Sequence, residues 1–228
     1  MLRKSWLKVL VWLLCLSPFL WLAGRAGVVF GLIPPEAIGG LFTRGELIAN
    51  PLEYITHFTG DWTIRFLVIT LAVTPLRKLL HLPDLIRFRR MFGLFAFFYG
   101  CCHFLTWLWL DKLFHLDEML KDVAKRPFIT AGFAALLLMA PLALTSTAGW
   151  IRRLGGQRWR ALHRLVYASA IAGVVHYYWL VKADIRLPVF YGSLVGILLL
   201  YRVVAWMTES GRRRTAVKRR MVAPAQQA

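Results

Sequence analysis

The sequence predicts an all-α membrane protein, a six-transmembrane-helix bundle with both termini in the cytoplasm. Three observations carry this. The 228-residue chain is 58% hydrophobic with a mean hydropathy of +0.56, too apolar for a soluble domain of its length. It offers six apolar stretches, at 8–30, 62–76, 91–110, 128–148, 162–181 and 188–207, set against the ~20 residues that a bilayer-crossing helix needs. Its charges also change sign from one intervening segment to the next.

The first stretch follows Arg3, Lys4 and Lys8. A basic start, an apolar run and small residues at Ala23 and Gly24 also suit a signal peptide. The run continues through Val28, Val29 and Phe30, however, and its removal would leave an odd number of spans. The second stretch is the shortest and extends backward through His57 and Phe58. Arg77, Lys78, Arg87, Arg89 and Arg90 separate the second and third; Arg152, Arg153, Arg158 and Arg160 separate the fourth and fifth. Arg212, Arg213, Arg214, Lys218, Arg219 and Arg220 follow the sixth. These alternate segments share one side, which the positive-inside rule makes the cytoplasm.

The other segments hold nine of the eleven acidic residues: Glu36, Glu46, Glu53, Asp61, Asp111, Asp117, Glu118, Asp122 and Asp184. Residues 1–210 form one helical domain, and 211–228 are expected to be a disordered basic tail. The net charge of +18 does not indicate nucleic acid, because the basic residues sit at span ends and make no continuous patch. Topology accounts for most of them, with a share left for anionic membrane lipid or a cofactor phosphate.

Cys15, Cys101 and Cys102 all fall in apolar stretches, so neither a disulfide framework nor a zinc site follows. A titratable group at membrane depth costs a few kcal/mol unless it has a partner or a use, which turns attention to the six histidines. His81 and His115 lie in loops and read as solvated. His103 is twelve residues past Met91, ~18 Å along a helix, in the outer half of the membrane. His163 begins the fifth span and His176 lies thirteen residues further, ~20 Å along the helix.

His103 and His176 therefore share a depth on two helices, as two axial imidazoles need to do to clamp one haem iron. For either residue alone, a hydrogen bond to a backbone carbonyl of a neighbouring helix is an equally good reading. Any haem would be b-type, since Cys102-His103 lacks the first cysteine of a c-type attachment sequence: position 99 is Tyr99.

His163 and His176 are ~140° apart around an ideal helix. His163 then either reaches the same space from a central or bulged helix, or serves a separate cytoplasmic-side site with His81 or a non-histidine ligand. His57 borders the haem or a quinone pocket, or is simply a polar residue at a helix start. Arg65 pairs with a haem propionate or with Asp61 at spacing i,i+4, or snorkels to the interface. Trp107, Trp109, Tyr177, Tyr178 and Trp179 read as interfacial anchors.

Several short segments taken together resemble one family: His57-Phe58-Thr59-Gly60, Thr74-Pro75-Leu76, Arg89-Arg90 with Gly93-Leu94 and His103, Thr145-Ser146-Thr147, Leu154-Gly155, Trp159, Leu162-His163-Arg164-Leu165-Val166-Tyr167 and His176-Tyr177. In this order and at this spacing they are similar to the ferric-reductase-like transmembrane family, and within it to the haem-binding membrane subunits of bacterial methionine-sulfoxide reductase systems.

The resemblance implies a multi-pass protein of the bacterial inner membrane that passes electrons through haem b, and through FMN, from the quinone pool or a cytoplasmic flavin reductase. The acceptor it implies is a periplasmic molybdopterin methionine-sulfoxide reductase (MsrP), joined as a heterodimer, in which the catalytic repair of oxidised periplasmic proteins takes place. His103 and His176 match the family's outer haem ligands, and His163 its third span-borne histidine.

Two features depart from larger members of the superfamily. The chain ends about 20 residues after the sixth stretch, leaving no room for a dehydrogenase domain. The third stretch also offers one histidine where two-haem relatives carry two. No GxGxxG or P-loop is present to hold a nucleotide, so an FMN phosphate would meet Arg77, Arg89, Arg90, Arg152 or Arg158. The rival functions are a small proton-coupled transporter, which would show repeated halves or broken helices, and a passive membrane anchor for a periplasmic enzyme.

Overall fold

The computed structural model describes residues 5–34 and 50–222. Arg3, Lys4, Glu36, Glu46 and the end of the expected tail, 223–228, lie outside the described residues. Among those described the fold is helical throughout. The helices are α1 (Ser5–Val29), α2 (Pro51–Leu79), α3 (Ile86–Leu105), α4 (Leu116–Lys125), α5 (Pro127–Leu144), α6 (Ala148–Leu162), α7 (Leu165–Leu180) and α8 (Arg186–Val222). A 3₁₀ turn at Pro83–Leu85 leads into α3, and a π-helical segment, Thr106–Asp111, leads out of it.

Each of the six expected stretches is largely helical. Among the described residues, four helical segments are long and apolar enough to cross a membrane: Trp6–Val29, Pro83–Leu110, Pro127–Leu144 and Arg186–Arg212. The shorter α7 is apolar over Leu165–Leu180. The protein is thus a multi-pass membrane protein.

α2 starts earlier than the second expected stretch, at Pro51, so Glu53 and Asp61 belong to the helix and not to a connecting segment, and His57 and Arg65 lie on it as well. The cause is local: the Asn50 side chain accepts a bond from the Glu53 N–H (3.3 Å) and returns one to the Glu53 carboxylate (2.7 Å), with proline at the first helical position. α4 and α6 are helices in segments expected to be connections. α8 runs on to Val222, so the helix continues past 211 into the segment expected to be the tail. Arg, Lys, Ala and Met are good helix formers, and no proline interrupts the chain between Gly211 and Val222.

Consecutive long helices run antiparallel and leave two ends, here named for His103 and His163. α2 packs mainly on α3, α5 mainly on α7, and α8 on α7 and α2. The common core joins Phe66, Leu67 and Leu71 of α2, Phe95, Ala96 and Tyr99 of α3, Met139 and Leu142 of α5, and Val166 and Ala170 of α7. Lipid supplies no hydrophobic drive between helices, so close approach of small residues and interhelical hydrogen bonds carry the association. Fully buried Ser169, for example, donates to the Ala135 carbonyl across α7 and α5 (2.9 Å).

Proline within a spanning helix frees the carbonyl four residues earlier, which then needs another donor. Pro18 frees the Leu14 carbonyl, and the Ser17 hydroxyl takes it (2.9 Å). Pro75 frees the Leu71 carbonyl, and Arg202 of α8 reaches across to it (2.6 Å) while bonding its own Leu198 carbonyl (3.0 Å) and lying over the Tyr167 ring (5.3 Å). α1 is attached by a wedge: the Tyr99 hydroxyl accepts from the Phe19 N–H (3.0 Å) and donates to the Cys15 carbonyl (2.9 Å).

The Arg202 contact gives a test. Arg202→Met leaves the Leu71 carbonyl without a donor, which costs about 1–3 kcal/mol. The expected outcome is a thermal unfolding midpoint several degrees lower in detergent or nanodiscs, and an unchanged midpoint would count against the bond.

Candidate functional site

His103 stands in the last turn of α3 and His176 in α7. The structure brings them together, with ring centres 6.0 Å apart and planes at 76°. Each ring is held by a carbonyl of a different helix. His103 Nδ1 lies 2.9 Å from the Thr56 carbonyl of α2, and His176 Nδ1 lies 2.7 Å from the Phe128 carbonyl of α5. A carbonyl only accepts, so both Nδ1 atoms carry the proton and both Nε2 atoms keep a lone pair, the tautomer that a metal-binding histidine needs.

The two cradles share one construction. Four residues after each accepting carbonyl stands a glycine, Gly60 on α2 and Gly132 on α5. A Cβ at Gly132 would come within 2.6 Å of His176 Nδ1, and one at Gly60 within 3.1 Å of the His103 ring. The bare backbone is what lets each imidazole lie against the helix that holds it. The sequence contained the signal, a glycine one turn past each acceptor, but the pairing of helices that gives it meaning appears only in three dimensions. Hydroxyls finish the frame around His103: Thr106 donates to the His103 carbonyl (2.7 Å) and Thr56 donates to the Thr106 hydroxyl (3.3 Å).

The spacing suits a shared ion. Two imidazoles bound to opposite sides of one metal through bonds of about 2 Å hold their ring centres about 6 Å apart, and a porphyrin would fill the remaining positions of iron.

His57 lies beside the pair on the exposed side of α2, one residue past Thr56. Arg65 takes the Asp61 alternative. Its Nη2 is 3.1 Å from the Asp61 carboxylate, its Nε donates to the Tyr191 hydroxyl (3.1 Å), and its guanidinium lies over Trp62 (5.0 Å). Tyr177, next to His176, donates to the same carboxylate (3.4 Å), so α2, α7 and α8 are tied together next to the imidazole pair.

His163 is not on the helix of His176. It occupies the turn between α6 and α7, because the chain must redirect there, so the angular comparison along one ideal helix does not apply. Its Nδ1 donates to the Trp159 carbonyl (3.0 Å) and its ring stacks on Trp159 at 3.9 Å. Trp159 is itself pinned by its indole N–H to the Thr145 carbonyl (2.9 Å). His163 Nε2 is buried without a hydrogen-bond partner, and the residue lines a cavity of about 440 Å³ together with Thr70, Ser146 and Tyr167.

Four arginines border that cavity: Arg89, Arg90, Arg160 and Arg164. Of the five expected to meet an anionic group, Arg89 and Arg90 reach it, while Arg77, Arg152 and Arg158 are not among the lining residues. The break at Gly155 (φ 71°) divides α6, and Arg160 lies on the part after it; the i,i+4 spacing of Arg160 and Arg164 was the missed signal. His81 is exposed in a left-handed turn (φ 54°) and does not line the cavity. His115 is exposed and bonds the Lys112 carbonyl (2.9 Å).

The fold and site define a multi-pass helical membrane protein with two carbonyl-anchored imidazoles brought together inside the bundle. Residues 59–174 match the family described as ferric reductase like transmembrane component. The chain is 57% identical over 174 residues, 75% of its length and 80% of the relative's, to the protein-methionine-sulfoxide reductase heme-binding subunit MsrQ of Herminiimonas arsenicoxydans. It is 48% identical over 188 residues, 82% of its length and 91% of the relative's, to the MsrQ subunit of Bordetella pertussis. With that of Ralstonia nicotianae it shares 47% over 212 residues, 92% of its length and 89% of the relative's. The chain belongs to the ferric-reductase-like transmembrane family, in its group of MsrQ subunits.

The cradle predicts a tautomer. Nitrogen NMR of histidine-labelled protein, prepared without added cofactor, should show His103 and His176 protonated at Nδ1. Gly132→Ala should disturb the His176 signal and leave that of His103 in place, and an unaltered His176 would contradict the packing.

Proposed function

We propose that the chain is a transmembrane electron carrier in which His103 and His176 are the two axial ligands of one haem b. The observation that carries the reading is the paired anchoring of Nδ1, which leaves two Nε2 lone pairs for one ion. Bound there, haem would supply one-electron transfer. The chain's own residues do the rest. The Thr56 and Phe128 carbonyls fix the tautomer and orientation of the imidazoles, Gly60 and Gly132 admit the rings, and the Asp61–Arg65–Tyr177–Tyr191 group braces the helix bearing His176.

The orientation in the membrane follows from charge. Arg77, Arg87, Arg89, Arg90, Arg152, Arg153, Arg158, Arg160 and Arg164 gather at the His163 end, and the positive-inside rule assigns that end to the cytoplasm of a bacterial inner membrane. With α1, α2, α3, α5, α7 and α8 as six crossings, both termini are cytoplasmic and the imidazole pair lies towards the periplasm.

Along α7, Leu165 and His176 are roughly 17 Å apart, so transfer from the cytoplasmic side needs an intermediate stop. The cavity at His163 provides one. Its arginines suit a planar anionic redox group, either FMN or a further haem bound through His163, fed by the quinone pool or a cytoplasmic flavin reductase. The names of the relatives place them in a methionine-sulfoxide reductase system. On that support the electron leaves for a periplasmic molybdopterin reductase of the MsrP type, which performs the repair.

The purified protein should show low-spin b-type Soret and α bands that sharpen with dithionite. His103→Ala and His176→Ala should each abolish the bands of the outer haem, whereas His163→Ala should leave them. Full haem content by pyridine haemochrome in both of the first two variants would overturn the ligand assignment.

A further inference from the structure

The stretch from Thr106 to Lys125 connects α3 to α5, and its surface is divided in an unusual way. After the π-helical segment the chain reverses through Leu113 and Phe114, both left-handed (φ 45° and 61°), a conformation that disfavours residues bearing a Cβ. Both side chains are turned outward, 65% and 56% exposed. α4 follows.

At ~100° per residue, α4 presents three sectors. Met119, Asp122 and Val123 face the bundle and are partly covered. Leu116, Leu120 and Ala124 form a second sector, with the two leucines 66% and 72% exposed. Asp117, Glu118, Lys121 and Lys125 form a third, exposed and charged. The first sector is fastened by Asp122, which sits 2.7 Å from Lys112 Nζ and 3.3 Å from Arg126 Nε. The hydrogen bond from Lys112 holds the Asp122 carboxyl below the usual carboxylate range, so the tie is charged at neutral pH.

A helix packed on a bundle and surrounded by water would carry polar groups over the whole of its outer side. Here the outer side is split between leucine and charge, the division expected of a helix lying along a membrane surface with protein on its third side. Leu105 at the end of α3 and Trp109 and Leu110 in the π-helical segment are exposed as well, and tryptophan is enriched at the membrane–water boundary.

We propose that α4 and the turn before it lie in the plane of the membrane at the His103 end, with Leu113, Phe114, Leu116 and Leu120 in the lipid. This seat bears on the metal site. Thr130 of α5 donates to the Val123 carbonyl of α4, and the Phe128 carbonyl between them holds His176. The depth of α4 thereby sets the start of the helix that positions one imidazole.

Nitroxide labels at Leu116→Cys, Leu120→Cys, Asp117→Cys and Lys121→Cys, each in the full chain reconstituted into phosphatidylethanolamine–phosphatidylglycerol vesicles, test the proposal. The labelled unsubstituted protein corrects for Cys15, Cys101 and Cys102. The expected result is an oxygen-to-nickel collision ratio severalfold higher at both leucine positions than at both charged ones. Labels equally open to the nickel reagent at all four positions overturn the proposal. Leucine-position labels that are open to nickel in vesicles and become shielded only when the periplasmic reductase is added also overturn it, and assign the surface to a protein. Either leucine position suffices if the other variant does not fold, and the readout is independent of haem content.

Discussion

The hydrogen bond from a side chain of one helix to a main-chain carbonyl of another recurs at each point where this structure performs a task. His103 is held by Thr56 and His176 by Phe128. Arg202 secures Leu71, Tyr99 secures Cys15 and Trp159 secures Thr145. In hydrocarbon these groups have no water to fall back on, so each bond fixes a pair of helices and the orientation of the side chain making it. The same bond that builds the fold also fixes the tautomer of the imidazoles, because the carbonyl takes the Nδ1 proton and leaves the lone pair on Nε2.

This dual use explains the placement of small residues and prolines. Gly60 and Gly132 remove the one atom that would keep each ring off its helix. Pro75 frees a carbonyl that Arg202 then uses to draw α8 onto α2. Arg202 also lies over Tyr167, which lines the cavity at the other end, so the brace on the bundle adjoins the place proposed for the electron's entry.

The apolar stretches and the shared depth of His103 and His176 were legible in the sequence, because helix length and rise per residue are properties of the chain alone. The anchoring carbonyls were not, since any of several neighbouring helices could have supplied them; in each ring the carbonyl takes Nδ1, and the proposed ligation would use Nε2. α2 was begun late because an apolar run reports hydropathy and not helicity, although Asn50-Pro51 with Glu53 marked its start. α4 was legible too: Leu116, Met119, Leu120 and Val123 keep helical spacing in a segment set aside as polar. His163, expected at the start of the fifth span, stands in the short turn just before α7, stacked on Trp159, whose indole bonds the Thr145 carbonyl.

The central claim is that His103 and His176 bind one iron through Nε2 with their planes crossed at 76°. Low-temperature electron paramagnetic resonance of the oxidised, haem-loaded protein reports both ligand identity and the angle between ligand planes. The structure predicts a low-spin ferric signal of high anisotropy, as two neutral imidazoles turned nearly perpendicular to one another produce. A high-spin ferric signal, or a low-spin signal left unchanged by replacing either histidine, would contradict it.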